Sequence, residues 1–325
     1  MPSIVTHYLF CEDVRLHTKE HIQDSLKSSL EIYHIFAQSF DNLFYYNLLT
    51  PKKGKDIRKF GNLAQRFKTQ NYFKNIILEI KKNNLQKNND ILSYLYGSLT
   101  HYILDSNCHP FVIYHAGWID EQNKNYQYRG NHEQIEVSID AILYQEHYNL
   151  PLYQANLGNT LLPKIKFSKP LKQLMNHVFE KTFHQKNIGN IYETSTRQGH
   201  YILKYLVTDH HGIKKKSYKL FDALFKKNTT KYQNLSFYIK NPDIEILNRK
   251  HDLWCNPTNN QIKSKESFDD LYQKALKEAL LIFDLTDKVL KDKIALNDYL
   301  NILQNKSYTT GLDCNLVEKY LYFKN

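Results

Sequence analysis

Between residues 90 and 136 the chain sets His101, Asp105 and His109 four residues apart in succession, and then His132 and Glu136 four apart again. A four-residue step on an α-helix advances about 400°, roughly 40° past a full turn, so such residues form one gently spiralling stripe. The first arm reads as a helix even without its histidines. Asp90 is a candidate N-cap, and Ile91, Leu92, Leu95, Leu99, Tyr102 and Ile103 recur at three- and four-residue intervals, the mark of a buried face. Gly97 and Ser98, one turn before His101, cost helix propensity, about 0.5–1 kcal/mol for the glycine, and imply that something approaches the backbone closely. Pro110 biases His109 out of the α region and predicts that the helix ends there. After a polar loop, Asn131 can cap a second helix from His132 to about Tyr148. A single His–Asp pair at this spacing is an ordinary hydrogen-bonded pair. The set is different, because five N and O donors exceed what one tetrahedral zinc uses and are of the kinds zinc takes.

The rest of the sequence agrees with a helical frame. Ten Gly and eight Pro in 325 residues suit long helices better than a sandwich or barrel, and 42% hydrophobic residues exclude a disordered polymer. The expected class is all-α, a multi-helix metal-binding bundle with additional C-terminal helices. Thr6 is a candidate N-cap for a helix over 6–24, and a second helical stretch ends near Asp41. Residues 50–56 read as a basic turn, followed by helices over 57–67 and 70–82. Pro151, Gly158, Pro163 and Pro170 break the stretch 149–170. That break divides a helical zinc-site region, 1–150, from a C-terminal helical region, 151–325, which can pack into the same domain. Helices are expected over 171–186, 191–207 and 215–227, and from Ser267 to about Lys293, while 235–247 is ambiguous.

Charge and cysteines narrow the classes further. The net charge is +11, yet of 44 basic residues only Arg15, Arg58, Arg66, Arg129, Arg197 and Arg249 are arginine. No dense arginine patch of the kind that reads bases is present, although the charge can help to hold an anionic substrate or a transient anionic membrane surface. No stable protein partner is inferable. Cys11, Cys108, Cys255 and Cys314 lie far apart without a Cys-x-x-Cys pair, so they read as reduced thiols rather than a ribbon or disulfide framework. No signal peptide or run of 18 apolar residues is visible, and the expected location is cytoplasmic.

Two isolated residues could join the ligand set: His7 in THYLF, and Asp41 in FAQSFD, where a carboxylate among large apolar residues is expensive to bury. Each by itself is also an ordinary helix or cap residue. In order along the chain, THYLF, FAQSFD, FGNLAQRFKT, YGSLTHYILDSNCHPF and GNHEQIE, with HDLWCNP at 251–257 and SYTTGL at 307–312, resemble the bacterial zinc-dependent phospholipase C family, whose helical fold is shared with zinc-dependent single-strand nucleases. The resemblance implies that His101 and Asp105 bind one zinc, with Asp105 bridging to a neighbour that His7 completes. It implies that His109, His132 and Glu136 hold another, and that Asp41 is both a ligand and the general base. Two zinc ions are then expected, with a third weak or absent, because Gln65 stands where the family pattern has a histidine. Secreted members also use a processed N-terminal amine as a ligand, whereas this chain begins MPSIVTH.

The activity the resemblance implies is zinc-dependent hydrolysis of a phosphodiester, possible substrates including phospholipids. The alternatives are a zinc-dependent nuclease and a non-catalytic metal-binding helical protein. Of the other histidines, His115 is undecided and His34 reads as a core residue, with a place beside the ligands as its alternative. The rest of those singled out read as structural: His210 and His211 form an exposed cap, and His251 with Asp252 lies in a packed turn beside Trp254 and Pro257.

Overall fold

In the computed structural model, which describes residues 4–117, 131–225 and 232–324, the chain is all-α apart from one hairpin. The first helix, α1 (Ile4–His17), stops seven residues short of the expected end because Lys19 is extended; α2 (Glu20–Lys27) then starts afresh. After α3 (Leu30–Phe36), a 3-10 turn over Ser39–Tyr45 carries Asp41. The expected basic turn is instead the opening of α4 (Pro51–Ala64), since Pro51 in the first turn presets its φ and gives up no needed N–H. Then come α5 (Thr69–Lys82) and the 28-residue α6 (Asn89–Ala116).

α6 departs from its sequence reading at both ends. Asn88 is the cap, accepting from Ile91 N at 3.2 Å, while Asp90 accepts from the Ser29 hydroxyl at 2.7 Å. The helix also runs through Pro110 instead of ending at His109. The Ser106 carbonyl, four residues before the proline, faces Gly311, where an added Cβ would fall 2.3 Å from that oxygen. Beyond the proline, Phe111 packs edge-on to Trp254 at 5.5 Å between ring centres, and this burial outweighs the local cost of the imide. The close approach expected at Gly97 is real. A Cβ there would meet Tyr33 O at 2.6 Å and Phe36 Cβ at 3.0 Å, so the glycine admits α3.

The partner arm is α7 (Asn131–Tyr148), which begins at Asn131 itself. The polar loop before it, at 118–130, the chain start Met1–Ser3, and residues 226 and 227 of the expected 215–227 helix lie outside the described residues. Further along, the Pro- and Gly-broken stretch holds only the short α8 (Leu157–Leu161), and α9 (Lys169–Phe183), α10 (Ile188–Ile202) and α11 (Ile213–Phe225) follow. The ambiguous 235–247 segment contains short 3-10 turns. The expected packed turn after His251 proves to be an antiparallel hairpin, β1 (Trp254–Asn256) with β2 (Asn259–Ser264), in which Trp254 pairs Ser264. α12 (Phe268–Leu290), opened by a Ser267–Asp270 capping box, and α13 (Leu296–Leu303) complete the order.

α6 is the axis of this arrangement, with α1, α3, α7 and α12 packed around it. A single core runs from Ile4 to Tyr308. Leu95, Leu99, Ile103 and Phe111 of α6 are fully buried, each contributing about 1.5–3 kcal/mol over an exposed position. The helix that carries the histidine stripe is therefore anchored by apolar contacts that do not involve the stripe.

Candidate metal centre

Four residues from three elements meet beside α6. His7 of α1, Asp41 of the 3-10 turn, and His101 and Asp105 of α6 each offer a ligand atom, all within 4.8 Å of one another and all buried. His7 Nε2 lies 3.2 Å from Asp105 Oδ1. His101 Nε2 lies 3.1 Å from Asp105 Oδ2 and 3.6 Å from Asp41 Oδ2, off the angles a hydrogen bond needs. The other ring nitrogen of His101, Nδ1, lies 3.1 Å from the Ala37 carbonyl. Donation from Nδ1 there would leave Nε2 of the neutral ring free for a cation, as in a metal-ligating histidine with an outer-shell partner. The His7 and His101 rings stack with centres 4.4 Å apart.

His7 is placed from α7. Asp140 accepts from Val5 N at 3.2 Å, Thr6 N at 2.8 Å and the Thr6 hydroxyl at 2.7 Å. The expected capping role of Thr6 is thus overturned. Thr6 lies inside α1, and a carboxylate from another helix satisfies its first-turn amides.

One turn along α6 stands a second group, His109 with His132 and Glu136 of α7, again with ligand atoms within 4.8 Å of one another. His132 Nε2 is 3.0 Å from Glu136 Oε1, and His109 Nε2 is 3.1 Å from His132 Nε2 and 3.8 Å from Glu136 Oε1. His109 Nδ1 is 3.9 Å from Asp105 Oδ2, so Asp105 lies between the two groups. The unbroken helix through Pro110 keeps His109 on the stripe.

The electrostatics are those of a site arranged for cations. Burial pushes Asp41 up to about 7, and His101 only partly opposes this. Burial also disfavours an ionised Asp105, but His101 and His7 outweigh it and hold that carboxyl well below the usual range. The His101 ring, though disfavoured as a cation by burial, is carried up to about 9 by Asp105 and Asp41, whereas burial draws His7 and His109 down. Among the described residues, His7 Nδ1, Asp41 Oδ2, His101 Nε2, Asp105 Oδ2, His109 Nδ1 and Glu136 Oε2 are buried without a hydrogen bond. At about 1–3 kcal/mol each, six such atoms would cost on the order of a whole domain's net stability. Divalent cations bound to this N and O donor set would relieve that cost, and the donors are of the kinds zinc takes.

Gln65, the residue after α4, is also buried here and donates from Nε2 to Asp41 Oδ1 at 2.5 Å. Three contributors escaped sequence reasoning. Tyr308 of SYTTGL packs its ring 5.3 Å from His101 and donates its backbone N–H to the Gln65 carbonyl at 2.9 Å. Asp140 lies four residues past Glu136, a spacing that could have revealed it. The Ala37 carbonyl is a backbone atom and leaves no residue-type signal. A third group, Cys11, Glu12 and His34, also brings ligand atoms within 4.8 Å. There Glu12 already holds Arg15 at 3.0 and 2.7 Å and His34 at 2.8 Å, and burial keeps the Cys11 thiol protonated.

Residues 39–269 match the family model described as zinc dependent phospholipase C. That span takes in Asp41, Gln65 and both ligand arms, and leaves out His7 and Tyr308. Neither the curated proteins nor the solved structures gave a match.

Proposed function

This chain belongs to the zinc-dependent phospholipase C family, and from that premise we propose that it hydrolyses a phosphodiester bond of a phospholipid at the cluster between α1, α6 and α7. The observation that carries the reading is the convergence of two groups of His, Asp and Glu ligand atoms, each within 4.8 Å of one another, with buried N and O atoms that make no hydrogen bond. His7, His101, Asp105 and Asp41 would hold one zinc and His109, His132 and Glu136 a second. Bound zinc supplies an acidified water and neutralises charge on the phosphate oxygens. The chain's own part is positional and basic. Asp41, buried beside His101 with Oδ2 free of hydrogen bonds, is the carboxylate placed to accept a proton from the attacking water. Gln65 orients it through Oδ1, leaving Oδ2 turned toward His101. Asp105 lies between the groups and sets their separation.

Turnover of phosphatidylcholine and of a soluble phosphodiester, assayed with zinc supplied and after chelation, tests the reading. Zinc-dependent release of phosphorylated headgroup that Asp41→Asn abolishes would support it. Protein that binds zinc yet cleaves neither substrate would favour a second reading, a metal-holding chain without turnover. Gln65 supports that second reading, because its amide lies on Asp41 where the family pattern has an imidazole.

A further inference from the structure

α11 is an amphipathic helix turned inside out. On its inner side Asp222 is buried and accepts from the Tyr232 and Gln233 amides at 2.9–3.1 Å, and the Tyr218 hydroxyl donates to the Leu206 carbonyl at 2.9 Å. Asp209 closes the first turn by accepting from Lys215 N at 2.9 Å. The apolar side faces outward: Ile213, Leu220 and Leu224 are 67%, 61% and 65% exposed. At 100° per residue these three lie within about 40° of one another, with Lys216 and Lys219 on one flank and Lys214 on the other. Asp222 is the helix's one carboxylate, and it points inward, so no acid within the helix balances the lysines.

A stripe of leucines and isoleucine in water, edged by cations, complements an apolar layer capped by anions. We propose that the outer face of α11 docks on an anionic phospholipid bilayer. A second copy is a poorer occupant, because it would bring lysine flanks together in a chain of net charge +11. The neighbouring surface has the same character. A groove of about 430 Å³ is lined by Leu49, 75% exposed, and by Tyr201 and Tyr205, and Lys164 and Lys204 lie over those two rings at 5.5 and 5.4 Å. Leu206 joins groove to helix, since it lines the one and accepts from Tyr218 of the other. The turn that Asp222 holds, Gln233–Leu235, packs in turn on α7, which carries His132 and Glu136.

The proposal rests on the phospholipid reading for its source of membrane, but its test reads binding and not turnover. The full chain is sedimented with vesicles of phosphatidylcholine, with and without phosphatidylserine, at low and high salt. Binding is expected to need phosphatidylserine and to weaken with salt. Lys216→Ala and Lys219→Ala should each weaken it about fivefold, and Leu220→Ser with Leu224→Ser at least about tenfold. Melting temperature and hydrolysis of a soluble phosphodiester should stay unchanged in these variants. Absence of wild-type binding, or binding that survives the leucine pair, overturns the proposal. So does a concentration-dependent dimer that the leucine pair abolishes, which would make a second copy the occupant. Vesicle binding without any hydrolysis would sink the catalytic reading and leave the docking surface standing.

Discussion

α1 contributes to two clusters that contain the same kinds of residue and differ in what those residues touch. His7 joins Asp41, His101 and Asp105, and one turn further along α1 Cys11 and Glu12 join His34. In the second cluster every charge is answered within the protein, since Arg15 makes a two-point bond to Glu12 and His34 adds another. In the first, carboxylates and imidazoles crowd together at ion-pair distance, with buried atoms that make no hydrogen bond. Proximity of His, Cys, Asp and Glu therefore does not distinguish a metal site from an ion-paired core. Buried atoms without a hydrogen bond favour a metal there, because a cation would relieve the cost of burying them.

The largest expected effect is on the first cluster. Asp105→Ala removes the carboxylate between the two groups, leaves buried imidazoles unpaired, and should cost about 3–5 kcal/mol. Thermal melting should show a large drop and reduced sensitivity to chelator, since metal held only by the folded state stabilises it. His132→Ala, at the less buried group, should abolish hydrolysis with a smaller loss of melting temperature. A variant Asp105→Ala that melts like wild type would break the comparison at its stronger end.

Next is Asp140, whose three bonds fix the start of α1. Asp140→Ala should weaken zinc retention on the His7 side and cost about 1–3 kcal/mol, measurable as zinc lost on dialysis alongside the melt. Gln65→His then sharpens the account of the inner group. Zinc content should rise toward three per chain and phosphodiester turnover should increase, with both gains lost in the Asp41→Asn background. Unchanged metal content would mean that position 65 takes no part in holding metal.

The smallest effects on metal content belong to the satisfied cluster. Glu12→Gln should leave zinc content as it is and lower the melting temperature at neutral pH, a difference from wild type that closes in acid. Burial disfavours the Glu12 carboxylate, but bonds from His34 and Arg15 outweigh it and carry the group down to about 2. With the folded value below the ordinary one near 4.5, the stabilisation is present above that value and is lost as pH falls toward 2. Wild type should therefore lose melting temperature more steeply than Glu12→Gln between those values, and equal slopes would show that the pairing contributes nothing.

Much of this was legible in the sequence where the signal is periodic. The four-residue steps from His101 to His109 and from His132 to Glu136 survive as stripes because α6 and α7 are regular helices. Local rules failed where packing intervened. Pro110 argues for a helix end, yet Phe111 against Trp254 and Gly311 against the Ser106 carbonyl hold the helix through it. Thr6 reads as a cap until Asp140, 134 residues away, takes its amides. Asp41 had no periodic context, and its place among large apolar residues gave a weak signal that the resemblance strengthened.

Whether the clustered His, Asp and Glu side chains between α1, α6 and α7 are zinc ligands is decided by elemental analysis of the full chain purified without chelators. About two tightly held zinc ions per chain are expected, falling in Asp105→Ala and unchanged in Glu12→Gln. No transition metal in the wild type, even after refolding with zinc supplied, would contradict it.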